Sequence, residues 1–246
     1  MYAGVSDNIC LFLIVFYFRP KTDEVAEIIK IFDAGMSMAR LNLSHGTLKT
    51  NLRLIKKFKE AKRLRPHKQC GLMLEVRGRE IRISHTNEKN GTMRIRSGSI
   101  VQLSCGNPNN LPSEPNHFRI NCADIIRYLK PNDVVYFDDG KVVGIIIDIQ
   151  AEGCRMEIKI GGTINQKSQC RFTSGKHSHL PLVTTEDITD IATISQHTMI
   201  DFLAIPFASA SQDMDQIREL LGSTGADVKI LAKVDSMHGI EKFKEI

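Results

Sequence analysis
The sequence predicts an α/β protein: a partial TIM (β/α)8 barrel interrupted by an inserted β-barrel-like lid domain. Two observations carry that expectation. From Pro20 to Ile83, and again from Leu180 onward, helical and strand-like patterns alternate with short connections, as parallel strands joined by right-handed crossovers require. Between those stretches the rhythm changes to short strand-like runs punctuated by turn signals. The expected domains are 1–83 for the first part of the barrel, 84–182 for the inserted domain and 183–246 for the second part, with the membership of 1–19 left open.

The elements follow in order. Ile9 to Phe16 is apolar but shorter than the roughly 20 residues a bilayer span needs, and it has neither a basic leader nor a small-residue cleavage site. It reads as a buried strand. Val25, Ile28, Ile29 and Phe32 sit at helical spacing, Asp23 and Glu24 suit the positive end of that helix, and Gly35 ends it. Ser37 to Leu43 reads as a strand. Leu48, Leu52, Ile55, Phe58 and Ala61 form the apolar stripe of a second helix whose other face carries Lys56, Lys57, Lys59, Lys62 and Arg63. A charge run of that kind is ordinarily a solvated face. Cys70 to Val76 is a third strand.

Inside the insertion, strands are expected at Thr92–Arg96, Ile100–Ser104, Asp133–Phe137, Lys141–Ile149 and Met156–Ile160. Turns fall at Asn90-Gly91, Asp138-Asp139-Gly140 and Gly161-Gly162, and a short helix capped by Asn121 runs from Ala123 to Leu129. After Leu180 the expected order is a helix from Thr185 to Ser195 capped by Thr184 or Thr185, and a strand from Ile200 to Ile205. A helix from near Ser211 to Gly222, a strand from Val228 to Val234 and a helix beginning near Gly239 follow.

Composition is that of an ordinary globular protein: 246 residues, 42% hydrophobic, 25% charged, with a formal net charge of +5. A mild positive balance suits phosphorylated anions and a bland basic surface alike. Six cysteines without a CxxC pair point to free thiols in a reducing compartment, taken as the cytoplasm. With no Trp and 6% aromatic residues, stacking on nucleic-acid bases is poorly supported.

The segment richest in chemistry is Met38-Ala39-Arg40-Leu41-Asn42-Leu43-Ser44-His45-Gly46. Arg40, Asn42 and Ser44 alternate, so on a strand they share one face near its C-terminal end, where barrel enzymes build their sites. An Arg beside amide and hydroxyl oxygens can grip a phosphate and offer ligands to a hard cation; a polar strand end that merely caps the next helix is the other reading. This run resembles the pyruvate kinase segment Asn-Val-Ala-Arg-Leu-Asn-Phe-Ser-His-Gly. Leu74-Glu75-Val76-Arg77-Gly78-Arg79-Glu80-Ile81-Arg82 is similar to that family's Leu-Asp-Thr-Lys-Gly-Pro-Glu-Ile-Arg. Tyr136-Phe137-Asp138-Asp139-Gly140 resembles its Tyr-Val-Asp-Asp-Gly, and Lys233-Val234-Asp235 its Lys-Ile-Glu.

The resemblance implies phosphoryl transfer from phosphoenolpyruvate to ADP, giving pyruvate and ATP, with Mg2+ and K+ as cofactors. It implies that Arg40 holds the substrate phosphate, that Arg82 contacts phosphate, and that Lys233 stabilises charge on the transferring group. Asn42, Ser44, Glu75 and the Val76 carbonyl would surround potassium, Asp235 would be a magnesium ligand, and His45 would lie near the nucleotide. Glu80 matches the motif of the potassium-dependent type. The inserted domain would act as a lid. Such roles make physical sense, since phosphoryl transfer is chiefly positioning and charge neutralisation.

Departures from the family pattern bear on activity. Glu75 stands where the family has Asp, Val76 where it has Thr, and Asp235 where it has Glu. Pro206-Phe207-Ala208-Ser209 lacks the arginine of the family's Ser-Phe-x-Arg. Thr-Ile-Gly-Pro is reduced to Pro20, and Phe172-Thr173-Ser174-Gly175 and His179-Leu180-Pro181 replace the family's return to the barrel. His177 and His179 form an HxH, a weak metal signal standing alone. Ile246 precedes the family's Gly-Asp-Leu-Gly, so the chain is expected to be incomplete as a catalyst. The competing expectation is a non-catalytic homologue that binds a full-length pyruvate kinase. Homo-oligomerisation is a further possibility, whereas nucleic-acid and membrane partners are not expected.

Overall fold
The computed structural model describes residues 15–17, 24–107, 109–173 and 181–246. The expectations for Ile9–Ile14, Pro20, Asp23, His177 and His179 fall outside them. The chain divides into two compact units: residues 1–78 and 183–233 with Ile246, and residues 79–182 with 234–245.

The first unit is a five-stranded parallel sheet in the order β1 (Val15–Tyr17), β2 (Met38–Asn42), β3 (Gly71–Glu75), β13 (Phe202–Ile205), β14 (Lys229–Ala232). Each step between successive strands passes through a helix, and the step from β3 to β13 carries the insertion ahead of its helix. The helices are α1 (Val25–Asp33), α2 (Leu48–Leu64), α3 (Thr185–His197) and α4 (Ser211–Leu221). This is a partial (β/α) barrel. Phe32 of α1 and Phe58 of α2 meet edge to face at 5.7 Å, both buried, where the helical stripes predict contact. Thr47 caps α2 by accepting the Thr50 N–H, and Thr184 caps α3 by accepting the Asp187 N–H.

The second unit holds a seven-stranded sheet: β4 (Ile81–Arg82), β12 (Gln169–Phe172), β8 (Val134–Phe137), β9 (Val142–Gln150), β10 (Gly153–Ile160), β6 (Ile100–Cys105), β7 (His117–Ile120). A bridge between Ile83 and Ile120 joins its two ends, so the sheet closes on itself. A two-stranded ribbon pairs β5 (Thr92–Ile95) with β11 (Gly162–Asn165). The interior is apolar, with Phe118 and Phe137 edge to face at 5.1 Å among Val101, Leu103, Ile146 and Met156.

Several expectations shift by a residue or two. The segment expected as a helix from Ala123 to Leu129 is a 3-10 turn over Asp124–Tyr128, and Asn121 does not cap it. The Asn121 amide instead accepts the Arg82 N–H at 2.9 Å and donates to the Glu80 carbonyl at 3.3 Å. Strands β4, β7, β11 and β12 had no sequence signal strong enough to mark them. They are two to four residues long, and one such run is too short to display alternation. Two of the three turn signals act as expected, with Asn90, Gly91, Asp138, Asp139 and Gly140 all at positive φ; the third, Gly161-Gly162, has no positive φ, and Gly162 begins β11.

Five free cysteines are described: Cys70, Cys154 and Cys170 are buried, and Cys105 and Cys122 half-buried. Burial pushes the Cys70 thiol up to about 11 and those of Cys105 and Cys154 up to about 12. They are packing residues rather than nucleophiles.

Candidate active site
The site grows from the C-terminal ends of parallel strands. In β2, Arg40 and Asn42 have the same parity, and the register sets Asn42 opposite Glu75, the last residue of β3. The ladder runs one step further through Leu43 N–H to the Glu75 carbonyl at 2.9 Å and Val76 N–H to the Ala204 carbonyl at 3.2 Å. The backbone of Glu75 is therefore fixed on both sides. Its side chain is 2% exposed, and both carboxylate oxygens are engaged. Oε2 takes Arg40 Nε and Nη2, each at 2.5 Å; Oε1 takes Asn42 Nδ2 at 3.2 Å and Lys233 Nζ at 3.0 Å. Two cations and an amide thus take the place of water around this buried carboxylate.

Lys233 comes from the first residue after β14. Its N–H donates to the Ile205 carbonyl at 2.9 Å and its carbonyl accepts the Ala208 N–H at 3.0 Å. The loop that braces it contains Phe207, a buried, bulky residue at φ 56, a strained conformation held by its surroundings. Strand β14 stops at Ala232, so alternation no longer dictates where Lys233 and Asp235 point. The shared parity expected for them therefore carries no weight here.

Four expected residues are thus brought together: Arg40, Asn42, Glu75 and Lys233. Ser44 lies in the following turn, where its N–H donates to Asn42 Oδ1 at 2.8 Å. Exposed His45 donates its N–H to the Asn42 carbonyl at 3.1 Å. Gly46, at φ +78, completes the turn, and a Cβ there would stand 2.6 Å from Thr50 Oγ1. Val76 is buried. Arg82 belongs to the second unit. There its guanidinium holds Glu80 Oε2 at 2.9 and 2.6 Å and the Lys167 carbonyl at 2.7 Å. Asp235 is half-exposed and falls in the 234–245 stretch counted with that same unit.

A second charged cluster escaped the sequence reading. Arg77 reaches Asp187 Oδ1 at 3.0 Å and Asp190 Oδ2 at 2.7 Å, while fully buried Asp187 also takes the Arg77 and Gly78 N–H groups. This clamp ties the end of β3 to α3. Asp213 behaves likewise at α4, accepting the Ser209 and Ala210 N–H groups at 2.8 and 3.1 Å. The only signal available was an Asp three residues into each helix, the capping-box position.

A partial parallel barrel with Arg40 and Lys233 drawn to one carboxylate at the C-terminal strand ends defines an α/β-barrel protein. The family described as "Pyruvate kinase, barrel domain" matches residues 12–246, and the chain belongs to the pyruvate kinase family. It is 27% identical over 234 residues to the pyruvate kinase of Dictyostelium discoideum, covering 92% of this chain and 44% of that protein. It is also 27% identical to that of Clostridium perfringens, covering 94% and 48%. The solved structure of Cryptosporidium parvum pyruvate kinase in complex with ADP superposes with a TM-score of 0.85 at 22% identity, over 95% of this chain and 47% of that one. The chain thus spans less than half the length of these relatives.

Proposed function
We propose that the rim formed by Arg40, Asn42, Glu75 and Lys233 serves phosphoryl transfer between phosphoenolpyruvate and ADP, as part of a pyruvate kinase. The convergence of Arg40 and Lys233 on one buried carboxylate carries this reading, because it sets two cations side by side at the strand ends. Arg40, planar and 31% exposed at its side chain, grips the phosphate. Lys233, 35% exposed, neutralises charge on the transferring group. His45 lies by the nucleotide.

The oxygens of Asn42, Ser44, Glu75 and the Val76 carbonyl are of the hard type that suits potassium. In the arrangement seen, Glu75 already carries two cations and Asn42 Oδ1 already accepts an N–H, so potassium has to share them. Asp235 is the candidate magnesium ligand, and a bound magnesium ion supplies charge neutralisation to the phosphates. Among the described residues no group of three or more His, Cys, Asp or Glu is gathered to hold a metal ion. The cytoplasm is the proposed location; among the described residues no helix is long and apolar enough to cross a membrane.

Pyruvate release in a coupled assay with magnesium and potassium, from the chain alone and from the chain mixed with a full-length pyruvate kinase, tests the proposal. Turnover that disappears in Lys233→Met supports it. Turnover unchanged in that variant overturns the role given to Lys233. The alternative, a non-catalytic homologue that associates with a full-length relative, is favoured by one observation: β14 ends the sheet order and offers an unpaired edge among the described strands. Altered turnover of the full-length enzyme in the mixture, with none from the chain alone, selects it.

A further inference from the structure
We propose that the cleft between α2 and α3 is a binding site for a small amphiphilic anion, a carboxylate or phosphate head on an apolar body. The cleft measures about 430 Å3 and is lined by Leu52, Arg53, Ile55, Lys56, Lys59 and His197. That volume lies in the range of small-molecule sites, which run from about 300 to 1,000 Å3. Both helices belong to the parallel unit, and neither contributes a residue to the strand-end rim. The basic face of α2 reads in the sequence as solvated, but the structure divides it. On the flank toward α1, Lys57 lies 3.8 Å from Glu24, and Arg65 at the end of the helix pairs with Asp33. On the flank toward α3, Lys56 and Lys59 have no carboxylate within ion-pair distance among the described residues.

Helical geometry accounts for the lining. At about 100° per residue, Ile55, Lys59, Leu52 and Lys56 fall within about one third of the α2 circumference. Buried Ile55 and half-buried Leu52 form the floor, and exposed Arg53 and Lys56 stand at the rim. Lys59 Nζ donates to the His197 carbonyl at 2.8 Å, at the C-terminal end of α3. An ammonium has three donors, so this bond ties the two walls together and leaves donors for a ligand. A gap that only holds water is expected to carry both signs of charge. Here every titratable lining side chain is basic, and Glu60, the one acid of α2, lies outside the lining. A bare inorganic anion satisfies the rim and leaves the floor in water. A neutral apolar molecule covers the floor but strips water from the lysines with nothing in return. Only a ligand with both parts answers both surfaces.

The test titrates butyrate, hexanoate, hexyl phosphate, hexanol and inorganic phosphate separately into the full chain and follows backbone amide shifts. Affinity is expected to rise about fourfold per methylene from butyrate to hexanoate. The largest shifts should fall between Leu52 and Lys59 and at His197. Hexanol and inorganic phosphate should each bind about tenfold more weakly than hexyl phosphate. The tighter of hexanoate and hexyl phosphate names the head group. Lys56→Gln should weaken hexanoate about threefold. Lys49→Gln removes the same charge from the same helix outside the lining and should leave the affinity unchanged. Leu52→Ala should flatten the dependence on chain length. Affinity independent of chain length, equal losses in Lys56→Gln and Lys49→Gln, or no binding of either hexyl anion overturns the proposal. So do shifts confined to Arg40, Glu75 and Lys233, which report on the strand-end site instead. Lys49 and Lys56 are exposed, so that pair of variants decides even if Leu52→Ala fails to fold.

Discussion

The unit formed by residues 1–78 and 183–233 and the unit formed by 79–182 bury charge in different ways. Among the described residues, four buried carboxylates lie in the first, Glu75, Asp187, Asp190 and Asp213, and the second buries Asp133 and Arg79. In the closed β sheet, alternation sends apolar side chains inward and leaves most charged groups outside, as in the exposed pair of Arg155 and Asp148. In the parallel unit the strands end where loops and helix starts converge. Those ends expose N–H groups, which the carboxylates answer. Glu75 answers two cations instead, which sets the site apart from the caps. In the parallel unit the described buried carboxylates therefore lie at helix starts, in the Arg77 clamp or at the strand-end site.

The largest expected effect tests the structural half of that division. Arg77→Met removes the cation shared by Asp187 and Asp190 and leaves two carboxylates buried without it. Urea unfolding should show a loss of about 3–5 kcal/mol. The loss belongs to the parallel unit, so the β unit's own transition should keep its midpoint. A loss under about 1 kcal/mol, the size of an exposed pair, would mean that the clamp is a surface contact. Any fall in turnover should track the fall in stability, in contrast to Lys233→Met.

A smaller effect is expected from the apolar side. Ile146 is buried in the β unit beside Met156, its cross-strand partner in β10. Ile146→Val removes one methyl group and should cost about 0.5–1.5 kcal/mol. Phosphate affinity at Arg40 should not change, because no charge is disturbed. A change in that affinity would show that the two units are energetically coupled and would blur the contrast drawn above.

How much of this was legible in the sequence follows from the same physics. The apolar stripes of α1 and α2 and the positive-φ turns at Asn90-Gly91 and Asp138-Asp139-Gly140 are local signals, and the structure has them where expected. The resemblance picked out Arg40, Asn42, Glu75 and Lys233, but their contact spans a separation of 158 residues, which no local pattern encodes. That Glu75 reaches Lys233 at all depends on one methylene. Its sequence neighbourhood says only that an acid ends the strand. Arg77 stood in the sequence only as one residue of the Leu74–Arg82 motif, with no role assigned. Its partners lie 110 and 113 residues away, and only tertiary packing identifies it as a clamp.

The smallest effect concerns His117 in β7, which offers a pH test of the β unit alone. Its Nε2 lies 2.7 Å from Ser104 Oγ, and its Nδ1 lies 3.2 Å from Arg119 Nη2. Since Arg119 can only donate, Nδ1 accepts and Nε2–H is the donor to Ser104, which is the neutral tautomer. Burial, and then the charge of Arg119, lower the pKa of this imidazole, with Glu114 opposing. The unfolded chain therefore binds a proton before the folded one does. The stability contributed by neutral His117 is present above the ordinary value of about 6.5 and is lost as pH falls through it toward the lower folded value. Thermal unfolding between pH 8 and pH 5 should show this decline in the β unit, and His117→Gln should flatten it. A steeper decline in the variant, or an unchanged one, would move the titrating group elsewhere in the chain.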